Sequence, residues 1–190
     1  MFRHCGKLEG YRLGATDGEI GKVHDFYFGD DTWTVRYLVV DSGYWLSDRL
    51  VLISPHALKL LDDQVKVLHV VLTRRQIEDS PAIATDQPVS RQYETEYYKY
   101  YGWPVYWTGP ALWGPGPYPL YYAPVENPQG PELALQEQPN DPHLRSVREL
   151  RGYQIQARDG EIGHVDDVLL EVIGKRNKPL RARRSTCAEF

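Results

Sequence analysis

Two seven-residue stretches, DGEIGKV at 17–23 and DGEIGHV at 159–165, hold the side chains most suggestive of chemistry. Asp17 and Glu19, with their counterparts in the second stretch, could bind a cation through paired carboxylates. A calcium loop needs further oxygen ligands at set positions, and neither stretch supplies them. Asp-Gly is typical of a two-residue type I′ hairpin turn. We therefore interpret both stretches as turns of the fold and predict no metal there.

A zinc site is the second possibility that the residue types raise. His4 and Cys5 are adjacent and His24 follows, but no paired spacing provides four ligands. His69 lies on a predicted strand, where we interpret it as a structural histidine. The sequence predicts neither a metal nor a cofactor.

The serines that could act as nucleophiles lie in loops or at strand ends. Ser42, Ser47 and Ser54 all lack the G-x-S-x-G turn that exposes a serine for attack. No catalytic constellation is evident. We predict that the protein is not an enzyme and has no catalytic residues.

The two stretches belong to a longer internal repeat. GYRLGATDGEIGKVHDFYF (10–28) aligns with GYQIQARDGEIGHVDDVLL (152–170) at an offset of 142, with ten of nineteen positions identical. Solenoid repeats have periods of about 20–50 residues. The offset therefore indicates a duplicated domain.

Short strands follow the first hairpin. The stretches 33–41, 50–54 and 64–72 are rich in β-branched and apolar residues. The apolar alternation shifts at Gly21, which predicts a β-bulge. HALKLL, between the second and third stretches, is interpreted as one helical turn. Together these elements predict a small antiparallel barrel.

Two helices are predicted after the barrel. Thr73 with Gln76 forms a capping box, and Ser90 caps a second helix that Gly102 ends. Tyrosines spaced as on one helical face form a stripe on the second helix: Tyr93, Tyr97, Tyr100 and Tyr101.

The segment 102–142 holds ten of the fourteen prolines, and residues 93–122 hold twelve of the twenty-three aromatic residues. Lys99 is the single basic residue between 93 and 122, so this is a poor surface for stacking nucleic-acid bases. The aromatic residues suit packing against the barrel or against a partner protein, and both readings stay open. The candidate protein-interface residues are Trp45, Tyr97, Tyr101, Trp103, Tyr106 and Trp107.

The net charge of −4 argues against a protein that binds nucleic acid over its whole surface. Residues 171–190 carry six basic and two acidic side chains, so any nucleic-acid contact is expected through this tail alone. Cys5 and Cys187 have no disulfide or metal spacing. No stretch approaches the roughly 20 apolar residues of a membrane span, and the N-terminus lacks a signal-peptide core. We expect a cytoplasmic protein without membrane insertion.

Three segments in order, GYRLGATDGEIGKVHDFYF, WTVRYLVVDSGYWL and RLVLISP, resemble the PRC-barrel domain, named for the cytoplasmic domain of the photosynthetic reaction-centre H subunit. Residues 72–107 are similar to the segment after the first barrel in stand-alone bacterial members, and residues 143–170 to the opening of their second barrel. The resemblance implies a mainly β fold: a small antiparallel barrel, short helices, a Pro/aromatic-rich segment and an incomplete second barrel.

The predicted domains follow from this resemblance and from the composition. They are a first repeat (1–80), a helical and aromatic extension (81–124), a linker (125–142), a partial second repeat (143–170) and a disordered basic tail (171–190). Because the hairpin of the second repeat has few strands after it, we expect residues 152–170 either to fray or to borrow a strand edge.

The function that the resemblance implies differs among relatives. The H subunit modulates electron transfer to a quinone, and a maturation factor of the small ribosomal subunit uses its barrel in ribosome assembly. Both proteins bind other macromolecules, although fold alone does not determine function. We expect a non-enzymatic adaptor that binds either another protein or a second copy of itself. The alternatives are a reaction-centre H-like accessory in electron transfer and an RNA-processing or ribosome-assembly factor.

Overall fold

The computed structural model describes residues 2–46, 49–81, 89–120, 143–172 and 180–182, in which strands dominate. The predicted mainly β fold is confirmed. The strands are β1 (Phe2–His4), β2 (Arg12–Ala15), β3 (Gly18–Gly29), β4 (Thr34–Asp41), β5 (Leu50–Ile53), β6 (Leu58–Asp62), β7 (Val67–Val70), β8 (Leu144–Ser146), β9 (Gln154–Ala157), β10 (Gly160–His164), β11 (Leu169–Val172) and β12 (Leu180–Ala182). The helices are α1 (Cys5–Leu8), α2 (Arg74–Glu78), α3 (Arg91–Tyr101) and α4 (Val147–Leu150).

The largest sheet has the strand order β5-β4-β3-β2-β7-β6, with β8 added to β3. The β2–β7 pair is parallel and the other pairs are antiparallel. Within the described residues β5 and β6 do not pair with each other, so the predicted antiparallel barrel is not closed. Helix α3 lies at the β5 edge instead: Tyr97 Oη donates to the Leu52 carbonyl (3.1 Å) and accepts from the Ser54 amide (3.0 Å). A side chain thus satisfies backbone groups that a neighbouring strand would satisfy in a closed barrel.

Most of the predicted strands form where expected. The predicted strand at 33–41 is β4, 50–54 contains β5, and 64–72 contains the shorter β7. The helical turn predicted for HALKLL (56–61) is wrong from Leu58 onward, because Pro55–Ala57 forms a 3₁₀ turn and β6 follows it. Pairing with β7 makes β6 a strand, and that partner lies outside the local sequence.

The first hairpin turn differs from the predicted type I′ turn. Ala15 pairs with Gly18, so the two central residues are Thr16 and Asp17, and Asp17 is not among the described residues with positive φ. A type I′ turn requires positive φ at both central positions. Gly18, at φ +151°, follows the turn. The Asp17 carboxylate accepts a hydrogen bond from the Arg74 amide (2.7 Å), which fastens the turn to α2.

The β-bulge predicted at Gly21 is confirmed. Leu13 pairs with Gly21 whereas Gly14 pairs with Glu19, which leaves one residue of β3 without an opposite partner. A Cβ at position 21 would lie 2.0 Å from the Asp41 carbonyl oxygen on β4. Glycine is therefore required where the backbone of the next strand passes.

The capping predictions are confirmed. Thr73 and Gln76 form the reciprocal capping box of α2. The Ser90 hydroxyl accepts from a backbone amide in the first turn of α3, and Gly102 ends α3 in the left-handed conformation at φ +67°.

The predicted tyrosine stripe on α3 is correct only in part. The fully buried positions are Glu94, Tyr97, Tyr98 and Tyr101, whereas Tyr100 is exposed. These positions follow the i, i+3, i+4, i+7 pattern of a helical face, so the buried face lies slightly around the helix from the predicted one. Side-chain composition alone could not distinguish the two faces, because both are rich in tyrosine.

The described residues of the predicted tail (171–190) lie in two strands. Glu171 and Val172 end β11, and β12 pairs antiparallel with β11, so the prediction of disorder is wrong for these five residues. Residues 173–179 and 183–190, and the predicted linker 125–142, lie outside the described residues. No helix in the described ranges combines the length and the apolar character needed to cross a membrane.

Candidate functional site

The two repeats exchange their first strands. At the start of the second repeat, β8 pairs with the end of β3, and at the start of the first repeat, β1 pairs with β11. The registers correspond at an offset of 142: Tyr27↔Ser146, Phe28↔Arg145 and Gly29↔Leu144 in one pair, and Leu169↔His4, Leu170↔Arg3 and Glu171↔Phe2 in the other. Of the residues 152–170 that were expected to fray or to borrow a strand edge, Leu169 and Leu170 pair with β1 of the same chain, whereas the hairpin β9–β10 pairs with no other described strand.

A buried aspartate of the first repeat receives the exchanged strand. Asp25 Oδ2 accepts from the Ser146 hydroxyl (2.5 Å), and Oδ1 accepts from the Arg148 amide (3.1 Å). Burial raises the pKa of Asp25, and these hydrogen bonds partly oppose the rise.

Asp167 repeats this arrangement in the second repeat. Its carboxylate accepts from the Gly6 amide (3.0 Å) and lies 3.5 Å from His4 Nδ1. Gly6 and His4 occupy the positions of Arg148 and Ser146 in the other repeat. Both repeats therefore have aspartate at this position because its carboxylate accepts hydrogen bonds from the exchanged segment.

An ion pair joins equivalent positions of the two repeats. Arg151 Nη2 lies 2.7 Å from Glu9 Oε1 and 3.1 Å from Asp167 Oδ1. Position 151 is position 9 plus 142, and a residue meets its own equivalent only near an axis of two-fold symmetry. The ion pair therefore marks a local pseudo-two-fold axis between the exchanged elements.

The side chains that suggested zinc have other roles. Cys5 is fully buried, and burial raises the pKa of its thiol, which disfavours the reactive thiolate. His24 Nε2 lies 2.7 Å from Arg148 Nη1. Among the described residues, no three His, Cys, Asp or Glu side chains are placed to hold a metal ion.

The candidate serines make local hydrogen bonds. The Ser42 hydroxyl donates to the Arg49 carbonyl (2.6 Å), and the Ser54 hydroxyl accepts from the His56 amide (3.3 Å). Ser47 lies outside the described residues. The two described serines thus stabilise turns rather than face a base.

The predicted interface residues on α3 and the segment after it form an aromatic cluster with intramolecular contacts. Its members are Tyr97, Tyr101, Trp103, Tyr106 and Trp107, of which the first four are buried and Trp107 is partly buried. The Tyr101 and Trp103 rings stack with centroids 4.5 Å apart. The side chain of Trp45 lies outside the described residues. These aromatic side chains thus pack within the chain, which is one of the two interpretations left open by the sequence.

A buried carboxylate lies beside this cluster. Glu94 Oε1 accepts from the hydroxyls of Tyr37 (3.0 Å) and Tyr106 (2.7 Å). Glu94 Oε2 lies 3.0 Å from Arg91 Nη1 and 2.8 Å from His143 Nε2. Burial raises the pKa values of Tyr37 and Tyr106 well above the usual value, so both hydroxyls keep the protons that they donate. We call these five residues the Glu94 network.

The Glu94 network lies in the interior of the protein and does not expose a reactive group. Glu94 is fully buried, and His143 comes from the start of the second repeat, so the network ties that segment to α3. Sequence reasoning missed Glu94. Its spacing of i, i+3, i+4 and i+7 with Tyr97, Tyr98 and Tyr101 is the signal that could have found it.

The hairpin β9–β10 reproduces the strand register of the first hairpin. Gly152 donates to the Val165 carbonyl, and Val165 donates to the Tyr153 carbonyl (2.9 Å each). In the first hairpin Gly10 donates to the Val23 carbonyl, and Val23 donates to the Tyr11 carbonyl (2.8 Å each). Its register shifts between Glu161 and Gly163, at the position of the bulge in β3. The local sequence therefore specifies the same hairpin twice.

The surroundings of the two hairpins differ. Ile20 is 2% exposed in the first repeat, but the equivalent Ile162 is 60% exposed. Tyr153, at the base of the second hairpin, is 59% exposed. Within the described residues β9 and β10 form a two-stranded sheet that pairs with no other strand. The second hairpin thus presents apolar side chains and a strand edge to solvent.

Comparison with known proteins identifies one domain. The family model described as the PRC-barrel domain matches residues 5–71, which contain β2 to β7. No curated protein matches the chain. A PRC-barrel domain therefore occupies the first repeat.

Proposed function

We propose that this protein is a non-enzymatic adaptor that binds another protein, with the hairpin β9–β10 as its docking element. The observation that carries the proposal is the contrast between two hairpins of nearly the same sequence. The first is covered by β4 and β7, whereas the second exposes Ile162 and an unpaired edge in the described residues. A partner strand on that edge would supply hydrogen bonds and cover the apolar side chains.

Energetics support this role for the hairpin. Two strands alone are marginally stable in water, and a third strand or an opposing apolar face makes such a sheet stable. Exposed edges promote pairing with other chains. A hairpin whose strands pair only with each other in the described residues has an edge suited to binding an extended segment.

The alternatives differ in the partner that they require. An H-like accessory would bind subunits of a photosynthetic reaction centre, and a ribosome-assembly factor would bind ribosomal proteins or RNA. The turn of the hairpin carries Arg158 beside Asp159, and Glu161 follows, which gives no continuous basic surface for RNA. We therefore favour a protein partner.

The test compares partners of matched variants in the native host. Ile162→Glu places a charge on the hairpin, and Leu60→Glu places the same charge on β6, where Leu60 is 55% exposed. After chemical cross-linking and affinity purification, we expect Ile162→Glu to lose specific partners that the parent and Leu60→Glu retain. Reaction-centre subunits or ribosomal proteins among the lost partners would identify one of the alternatives. The same partners in all three samples would refute the docking role of the hairpin.

A further inference from the structure

The first repeat indicates what kind of element fits the open edge of β10. There β4 runs antiparallel beside β3, with Lys22 opposite Asp41 and Val23 opposite Val40. Position 164 of the second repeat corresponds to position 22. An antiparallel strand with an acidic residue opposite His164 would reproduce the arrangement of the first repeat.

Space for a neighbouring backbone is present at the bulge of β10. In the first repeat, Gly21 lets the β4 backbone pass so closely that a Cβ would lie 2.0 Å from the Asp41 carbonyl. At the equivalent Gly163, φ is +134° and no atom of the described residues lies within 4 Å of the Cβ position. The second hairpin therefore has the glycine at which a neighbouring strand approaches, with open space beside it.

We propose that β10 pairs antiparallel with β10 of a second copy of this chain, which joins the two hairpins into a four-stranded sheet. The proposal rests on the proposed function, because it names the partner that docks on the same hairpin. Pairing centred between Ile162 and Gly163 makes the contact isologous, as in most dimers with two-fold symmetry.

Charge complementarity favours a second copy as the occupant. In this register Glu161 of each copy lies opposite His164 of the other, so the dimer contains two acid–base cross-strand pairs. The first repeat has a basic residue opposite an acidic one at the same place, Lys22 and Asp41. Opposite charges that face each other across two strands stabilise the pairing, and like charges destabilise it.

The apolar side chain of the bulge is also accommodated. Ile162 lies opposite Gly163 of the second copy, which has no side chain, so the isoleucine can lie across that backbone. Four strands with an apolar face satisfy the condition for a stable sheet that two strands do not meet. The contact is small, so we expect a reversible dimer rather than an obligate one.

The test uses charge reversal of the purified full-length protein, followed by sedimentation equilibrium over a concentration series. We expect His164→Glu to weaken the dimer by roughly tenfold, because it creates two like-charge pairs. His164→Lys, which introduces the residue of the first repeat, is expected to strengthen it. The double variant Glu161→Lys with His164→Glu again has two lysine–glutamate pairs and is expected to dimerise at least as tightly as the parent. Arg158→Glu, in the turn and outside the paired segment, serves as a control that leaves it unchanged.

Circular dichroism and thermal unfolding of each variant establish that the fold is intact. A parent that stays monomeric at all concentrations would overturn the proposal, as would a dimer that the reversals at 161 and 164 do not affect. In either case, loss of host partners by Ile162→Glu would still support docking by the hairpin, with a foreign protein as the occupant. Failure of both experiments would overturn the proposed function as well.

Discussion

Replacing Glu94 by leucine should be among the most destabilising single substitutions in the described part of the chain. The change removes an acceptor from the Tyr37 and Tyr106 hydroxyls and an anion from Arg91 and His143, four groups within 3.0 Å of the carboxylate. Removing one partner of a buried ion pair typically costs about 3–5 kcal/mol. We expect a loss in that range and not a sum over four contacts, because energies within one network are not additive.

Glu94→Gln separates charge from shape. Its amide oxygen can still accept from the two hydroxyls, but its amide nitrogen faces the Arg91 and His143 donors. We expect a loss of about 1–3 kcal/mol in the free energy of unfolding. Urea unfolding monitored by tryptophan fluorescence measures both losses, with Glu96→Gln on the exposed side of α3 as the matched control. A Glu94→Gln loss within about 0.5 kcal/mol of the control would refute the reasoning, because that is the scale of ordinary surface substitutions.

Three further predictions concern the pH dependence of stability, a close backbone approach and a buried thiol. Burial lowers the pKa of His56 to about 4. Between roughly pH 6.5 and 4 the unfolded chain therefore binds one more proton than the folded chain, and the free energy of unfolding falls as the pH falls. Unfolding measured over this range should show the parent losing up to about 3 kcal/mol more than His56→Asn. Gly21→Ala should lower the free energy of unfolding by at least about 2 kcal/mol, because the new Cβ collides with the Asp41 carbonyl. Gly116→Ala, whose Cβ would lie 3.7 Å from its nearest neighbour, should lower it by less than about 1 kcal/mol. Equal losses in thermal or urea unfolding would contradict the bulge geometry. Alkylation of Cys5, followed by peptide mass spectrometry, should be slow in the native protein and fast in urea; rapid native labelling would show that the thiol is not buried.

Local signals in the sequence predicted much of the secondary structure. The capping box at Thr73, the serine cap at Ser90 and the left-handed Gly102 depend on residues within a few positions of each other, so short segments encode them. The same holds for the bulge at Gly21, where the apolar alternation changes phase. The repeat likewise indicated that the second hairpin would adopt the form of the first.

Features that depend on distant partners were missed. β6 is a strand because β7 lies beside it. The Tyr97 hydroxyl hydrogen-bonds to backbone groups at the open edge of β5, and no local sequence pattern predicts that contact. The turn predicted as type I′ from Asp-Gly is shifted by one residue, because the pairing of Ala15 with Gly18 sets its register. Glu94 is buried because Tyr37, Tyr106 and His143, from three other parts of the chain, converge on it beside Arg91 of its own helix.

The sequence by itself determined that two hairpins of one kind exist, because turn residues and apolar spacing act over fewer than about twenty positions. Only the tertiary structure decided that each repeat receives the first strand of the other and that one hairpin is covered while the other is open. Strand pairing is made by backbone groups that every residue carries, so the sequence does not state which of several compatible edges will pair. That choice follows from the burial of side chains such as Asp25 and Glu94, which the folded chain brings together from positions far apart.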